Sequence, residues 1–137
     1  MRRTAPLLIG SLLAAGCGGG IEVGGKLPAC AAHPATRITR PASLPGEFPL
    51  PKGTILTKVK QKFDRVNLRG RFRGDVKHAR GFFQQRLPER GFLLDGGDSG
   101  PDFAEESFVG NGVRGFVKLH RYEACDGVVR MLVTIKP

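Results

Sequence analysis

The side chains most able to do chemistry here are cations. Of the 137 residues, 22 are Lys or Arg and 12 are Asp or Glu, a formal net charge of +10. They are unevenly spread: residues 52–90 hold 12 Lys/Arg against 3 acids, and residues 91–112 hold 5 acids and no Lys or Arg. Blocks of this kind bear on partners and solubility rather than on fold. Patterns that would announce a reaction do not form. Ser43, Ser99 and Ser107 sit in no nucleophile elbow, and no facing carboxylate pair demands glycosidase chemistry. His33, His78 and His120 share no metal-ligand spacing. The acids Asp95, Asp98, Asp102, Glu105 and Glu106 miss the EF-hand pattern and read as a solvated loop. Gly20 to Lys26 spells Gly-x4-Gly-Lys, but Leu27 follows where a phosphate loop needs Ser or Thr, and no strand precedes it. The expectation is a non-enzymatic protein without a cofactor or metal.

The N-terminus is more specific. Arg2 and Arg3 precede an apolar run from Ala5 to Ala15, with small residues before Cys17. A basic start, about 7–15 apolar residues and a small-residue cut site form a secretory signal. The run falls short of the roughly 20 residues that span a bilayer. Leu13-Ala14-Ala15-Gly16-Cys17 resembles the lipobox of bacterial lipoprotein precursors. The resemblance implies removal of residues 1–16 and acylation of Cys17. The product would be exported and lipid-anchored to the cell membrane or outer membrane, its domain facing the periplasm or the exterior. Gly18, rather than Asp, implies no inner-membrane retention signal. Net charge then falls from +10 to +8, as Arg2 and Arg3 leave.

With Cys17 assigned to the anchor, Cys30 and Cys125 remain as an even pair in an oxidising compartment, and a disulfide is expected between them. Export also turns the basic charge away from nucleic acid and toward anionic envelope polymers, lipid headgroups or a protein partner.

The elements that must position the cations follow from periodicity. Residues 18–29 are Gly-rich and read as the end of a lipidated tether spanning 17–29. One domain, 30–137, follows. It opens with a Pro-rich arm in which Phe48 and Leu50 reach the core edge. Residues 54–73 alternate with period two, the mark of half-buried strands. A hairpin turning at Phe63-Asp64 pairs Val59 with Leu68 and Ile55 with Phe72 on one face. The same register stacks Lys62 on Arg65 and Lys58 on Arg69 on the other. Residues 75–90 read as a helix N-capped by Asp75, with Val76, Ala79, Phe83 and Leu87 on one face. Phe92-Leu93-Leu94 reads as a short buried strand, and 95–102 as a loop. A second hairpin turns at Asn111-Gly112, and a last strand runs Val128 to Lys136.

The expected architecture is α+β, a two-layer sandwich in which one helix covers one face of an antiparallel sheet of five or six strands, leaving the other face wet. The layout and the stretch Leu87-Pro88-Glu89-Arg90-Gly91-Phe92 look like small exported lipoproteins without a known activity. By parity the wet face gathers Lys58, Lys60, Lys62, Arg65, Arg69, Arg71, Arg73, Arg114 and Lys118 as a candidate anion-binding face. Arg130, Lys136, Phe116 and Tyr122 join them. The functional expectation is an envelope lipoprotein touching anionic polymers or headgroups through that face. The alternative is a structural accessory subunit of an envelope complex.

Overall fold

A computed structural model describes residues 22–32 and 37–137. Cys17, its lipobox, His33 and the first part of the tether lie outside the described residues. The described elements are α1 (Ala29–Ala32), β1 (Ile55–Lys62), β2 (Arg65–Arg73), α2 (Val76–Glu89), β3 (Phe92–Ser99), β4 (Phe103–Gly110), β5 (Val113–Arg121) and β6 (Val128–Lys136). The strands form one antiparallel six-stranded sheet in the order β1-β2-β6-β5-β4-β3. Strand β6 comes last in the chain but lies directly beside the first hairpin, where it joins that hairpin to the β3-β4-β5 meander. This is the expected α+β arrangement, with α2 packed across one face of the sheet.

Helix α2 starts at Asp75, whose Oδ1 accepts the His78 N–H at 2.9 Å while its Oδ2 lies 2.7 Å from His78 Nδ1. Pro88 sits in its last turn and Gly91 (φ +87°) ends it. Val76, Ala79, Phe83 and Leu87 are buried against Leu68, Phe72, Phe108, Val117, Leu119, Val129, Met131 and Val133 of the sheet. Phe48, expected at the core edge, stands at its centre, 1% exposed. Its ring meets Phe83, Phe92 and Phe108 with centroids 5.4 to 6.2 Å apart. The Pro-rich arm delivers it, held in shape by Arg40, which donates to the carbonyls of Pro45, Gly46 and Phe48.

Two registers differ from expectation. In β1 the Lys58–Arg69, Val59–Leu68 and Lys62–Arg65 pairs form as expected, but Thr57 is a bulge residue. Leu56 therefore pairs with Gly70 and enters the core, and Ile55 pairs with Arg71 rather than Phe72. Strand β3 does not end at Leu94 but continues through the expected loop to Ser99, with a register shift between Leu94 and Gly96. An edge strand pairs through its backbone, so Asp95-Gly96-Gly97-Asp98 extends despite its turn-like composition. Only Phe92 of the apolar trio is buried, and Leu93 is 70% exposed. Gly97 has a steric reason: a Cβ there would lie 2.7 Å from the Glu105 carbonyl and the Glu106 carboxylate.

Residues 22–29, expected in the tether, pack on the domain instead. Gly24 N–H donates to the Arg73 carbonyl and Gly25 N–H to the Lys52 carbonyl, both at 2.7 Å. Leu27 and Ala31 bury against Ile55, Cys125 and Val128 in a second small cluster. The Cys30–Cys125 disulfide closes it, with Cα atoms 5.7 Å apart. The wet face is thus covered at one end. Among the described residues no helix is long and apolar enough to cross a membrane.

Candidate anion-binding concavity on the open sheet face

The bulge at Thr57 and the covered end shape the open face into a shallow concavity of about 500 Å³. Its polar lining is Arg69, Arg71, Lys118, His120, Tyr122 and Arg130, over Gly70, Met131 and Leu132, with Thr57 at the rim. Two cross-strand rows build it. One runs Lys58, Arg69, Leu132, Lys118, Glu105 across β1, β2, β6, β5 and β4. The other runs Arg71, Arg130, His120, Phe103 across β2, β6, β5 and β4.

Arg71 and Arg130 stand directly opposite each other. Like charges so placed repel, at a cost of several tenths of a kcal/mol, about 0.5. Tyr122 offsets this. Both guanidinium carbons lie over its ring, at 5.3 and 6.0 Å from the centroid, and Arg71 also donates to its hydroxyl at 3.1 Å. Each such cation–π contact contributes about 0.5–1 kcal/mol. The ring therefore holds two guanidiniums side by side at little net cost. Arg71 Nε–H is buried and finds no acceptor among the described residues. A side-chain turn toward a bound anion would recover that bond.

Charge compensation is sparse. Lys118 reaches Glu105 at 3.7 Å and Lys136 reaches Asp64 at 3.8 Å, both weak exposed pairs. Arg69, Arg71 and Arg130 have no carboxylate partner among the described residues. The well-made ion pair lies on the opposite face: Glu106, 4% exposed, accepts from Arg80 Nε at 2.6 Å and Gln84 Nε2 at 2.9 Å. Glu106, read with its acidic neighbours as a solvated loop, stands instead in β4 opposite Val117 on the buried face. Asp95, Asp98 and Asp102 are exposed, and among the described residues no His, Cys, Asp and Glu group could hold a metal ion.

Of the nine expected face residues, the concavity brings together Arg69, Arg71 and Lys118. Lys58 flanks it opposite Arg69, and Lys60, Lys62 and Arg65 continue as an exposed strip along the first hairpin, away from it. Arg114 pairs with Lys136 near the far end of β6. Arg73 is not part of this site: it faces a separate cleft under the N-terminal segment, with Glu22, Arg37 and Lys52. Sequence reasoning treated His120 as an ordinary surface residue. The Asn111-Gly112 register that placed Lys118 on this face also places His120 there, two residues on.

Comparison with protein-family models, with curated proteins and with solved structures finds no match.

Proposed function

We propose that this protein is a lipid-anchored envelope lipoprotein that holds phosphate-type anions in the concavity of its open sheet face. The observation that carries the binding half is the cluster of Arg69, Arg71 and Arg130, gathered on two neighbouring strands without a carboxylate partner among the described residues. Guanidiniums suit phosphate oxygens because the planar fork donates two parallel bonds. A volume of about 500 Å³ accepts a phosphate with the group that carries it.

The anchoring half rests on the lipobox resemblance and agrees with the disulfide, which fits an oxidising compartment. Intact mass of the membrane-extracted protein tests it. The expected value is residues 17–137 with a diacylglyceryl group on Cys17 and two hydrogens fewer for the disulfide. A mass beginning at Met1 without acylation would contradict it.

A structural accessory subunit is the second reading, and one observation favours it. Leu93, 70% exposed, pairs with Val109, 42% exposed, at the β3-β4 edge of the same face. Cross-linking in cells that recovers one stoichiometric partner through this pair, with wild-type recovery from Arg71 and Arg130 variants, would establish that reading instead.

A further inference from the structure

The first hairpin ends in a feature that neither the core nor the concavity uses. Phe63 is 89% exposed and has φ +57°. Lys62 and Arg65 pair across the turn, so Phe63 and Asp64 are its two central residues. A positive φ at the first of them is the place for glycine or asparagine. In the other tight hairpin the matching position is Asn111 (φ +50°) followed by Gly112 (φ +77°). Here an aromatic side chain sits in a conformation that bulky residues rarely adopt, and its ring buries almost nothing. Fold stability gains little from this choice, which makes a partner outside the fold the better account.

The surroundings indicate which partner. Lys62 Nζ lies 5.8 Å from the Phe63 centroid, and Lys60, Lys62 and Arg65 are all exposed around the tip. An exposed aromatic ringed by cations matches the interface of an anionic bilayer: the ring enters the headgroup boundary and the cations meet phosphates. Each cation near such a surface raises affinity about fivefold. A polyanion in solution would use the cations but offer the ring no apolar phase.

The placement of the two ends of β2 supports the same partner. The N-terminal segment meets the domain at Arg73, through the Gly24 N–H. Phe63 lies beyond Arg65, at the other end of β2, roughly 27 Å away at about 3.3 Å per residue. Between Cys17 and Glu22 there are five peptide links, a reach of at most about 18 Å. A chain held at Cys17 therefore starts close to the bilayer at one end of β2. We infer that the Lys62-Phe63-Asp64-Arg65 tip is the second contact, dipping Phe63 into an anionic bilayer and laying the first hairpin along it. This deepens the anchored-lipoprotein reading and rests on it.

The chain contains no Trp, so Phe63→Trp gives a single reporter. The membrane-extracted variant, with its acyl chains, is reconstituted into vesicles of phosphatidylcholine with and without phosphatidylglycerol. The expected result in phosphatidylglycerol vesicles is a blue-shifted emission, quenching by brominated lipid, and acrylamide quenching reduced roughly fivefold as the ring leaves water. Adding Lys60→Glu, Lys62→Glu and Arg65→Glu should return the emission to its value in water. Phe63→Gly should leave the melting temperature unchanged or higher, because glycine adopts positive φ freely. A marked fall would mean that Phe63 serves the fold, and would overturn the inference. Trp emission that stays red and acrylamide-accessible on protein retained by the vesicles overturns the tip contact and leaves the anchor standing. Protein that washes off the vesicles overturns the anchored reading, and the tip contact with it.

Discussion

Replacing Arg71 and Arg130 together by Glu is expected to lower affinity for pyrophosphate, or for a phosphate-rich polymer, by at least about 100-fold. Each charge-assisted hydrogen bond contributes about 1.5–3 kcal/mol, and losing two amounts to roughly two orders of magnitude or more. Arg71→Glu alone should separate binding from stability. In the wild type Arg71 faces Arg130 across the ladder, and the substitution turns a repulsive pair into an attractive one. The new attraction to Arg130 offsets the lost contacts with Tyr122, so the melting temperature should change by only a few degrees while affinity falls at least tenfold. Calorimetric titration and thermal melts on the same samples check both. Lys60→Glu with Lys62→Glu is the companion variant. Those residues lie outside the concavity, so it should weaken pyrophosphate binding only a few-fold, through long-range charge. Equal losses from the two double variants would mean that net charge, not the concavity, does the binding.

Replacing Cys30 and Cys125 by Ala should cost about 4 kcal/mol and lower the melting temperature by roughly 15 °C. The bridge closes a sequence separation of 95 residues, so it restrains much of the unfolded chain. There is also a local consequence. Helix α1 has four residues, too few to persist alone. The bridge and the small cluster of Leu27, Ala31, Ile55 and Val128 hold it. Without the bridge the N-terminal segment should lift, exposing Ile55 and Val128 and loosening the side of the concavity near Tyr122. Hydrogen exchange should therefore accelerate at the β1 and β6 residues beneath α1 well before global unfolding. A loss under 1 kcal/mol with unchanged exchange would show that the segment is held by packing alone.

Hairpin registers were legible where two faces agreed. Lys62 opposite Arg65 and Val59 opposite Leu68 require the same pairing, and a slip by one residue would bury the cations. The agreement breaks at Ile55-Leu56-Thr57, where two adjacent apolar residues fit either face. The Thr57 bulge sends Leu56 to the core and Ile55 to the second cluster, and no alternation could reveal it. Strand β3 was hidden for a different reason. Its Asp and Gly residues follow no alternation, and the ladder with β4 extends it through backbone bonds. Phe48 belongs to neither period, since it is carried in by a Pro-rich arm pinned by Arg40. For the candidate site, parity placed these cations on the open face. It could not show that bulging and the covered end gather Arg69, Arg71 and Lys118 while leaving Arg73 beyond the N-terminal segment. Parity did place Tyr122 on this face, but not its hold on Arg71, which it meets across 51 residues of sequence.

The most direct test of the central claim is a titration of the wild-type protein with pyrophosphate, followed by NMR at arginine Nε–H and lysine Nζ groups. A bound anion should shift Arg69, Arg71 and Arg130 first and saturably, together with the Tyr122 ring, while Lys60, Lys62 and Arg65 move little. Small, non-saturating shifts spread evenly over every exposed cation would contradict it and leave the open face as a solvated surface.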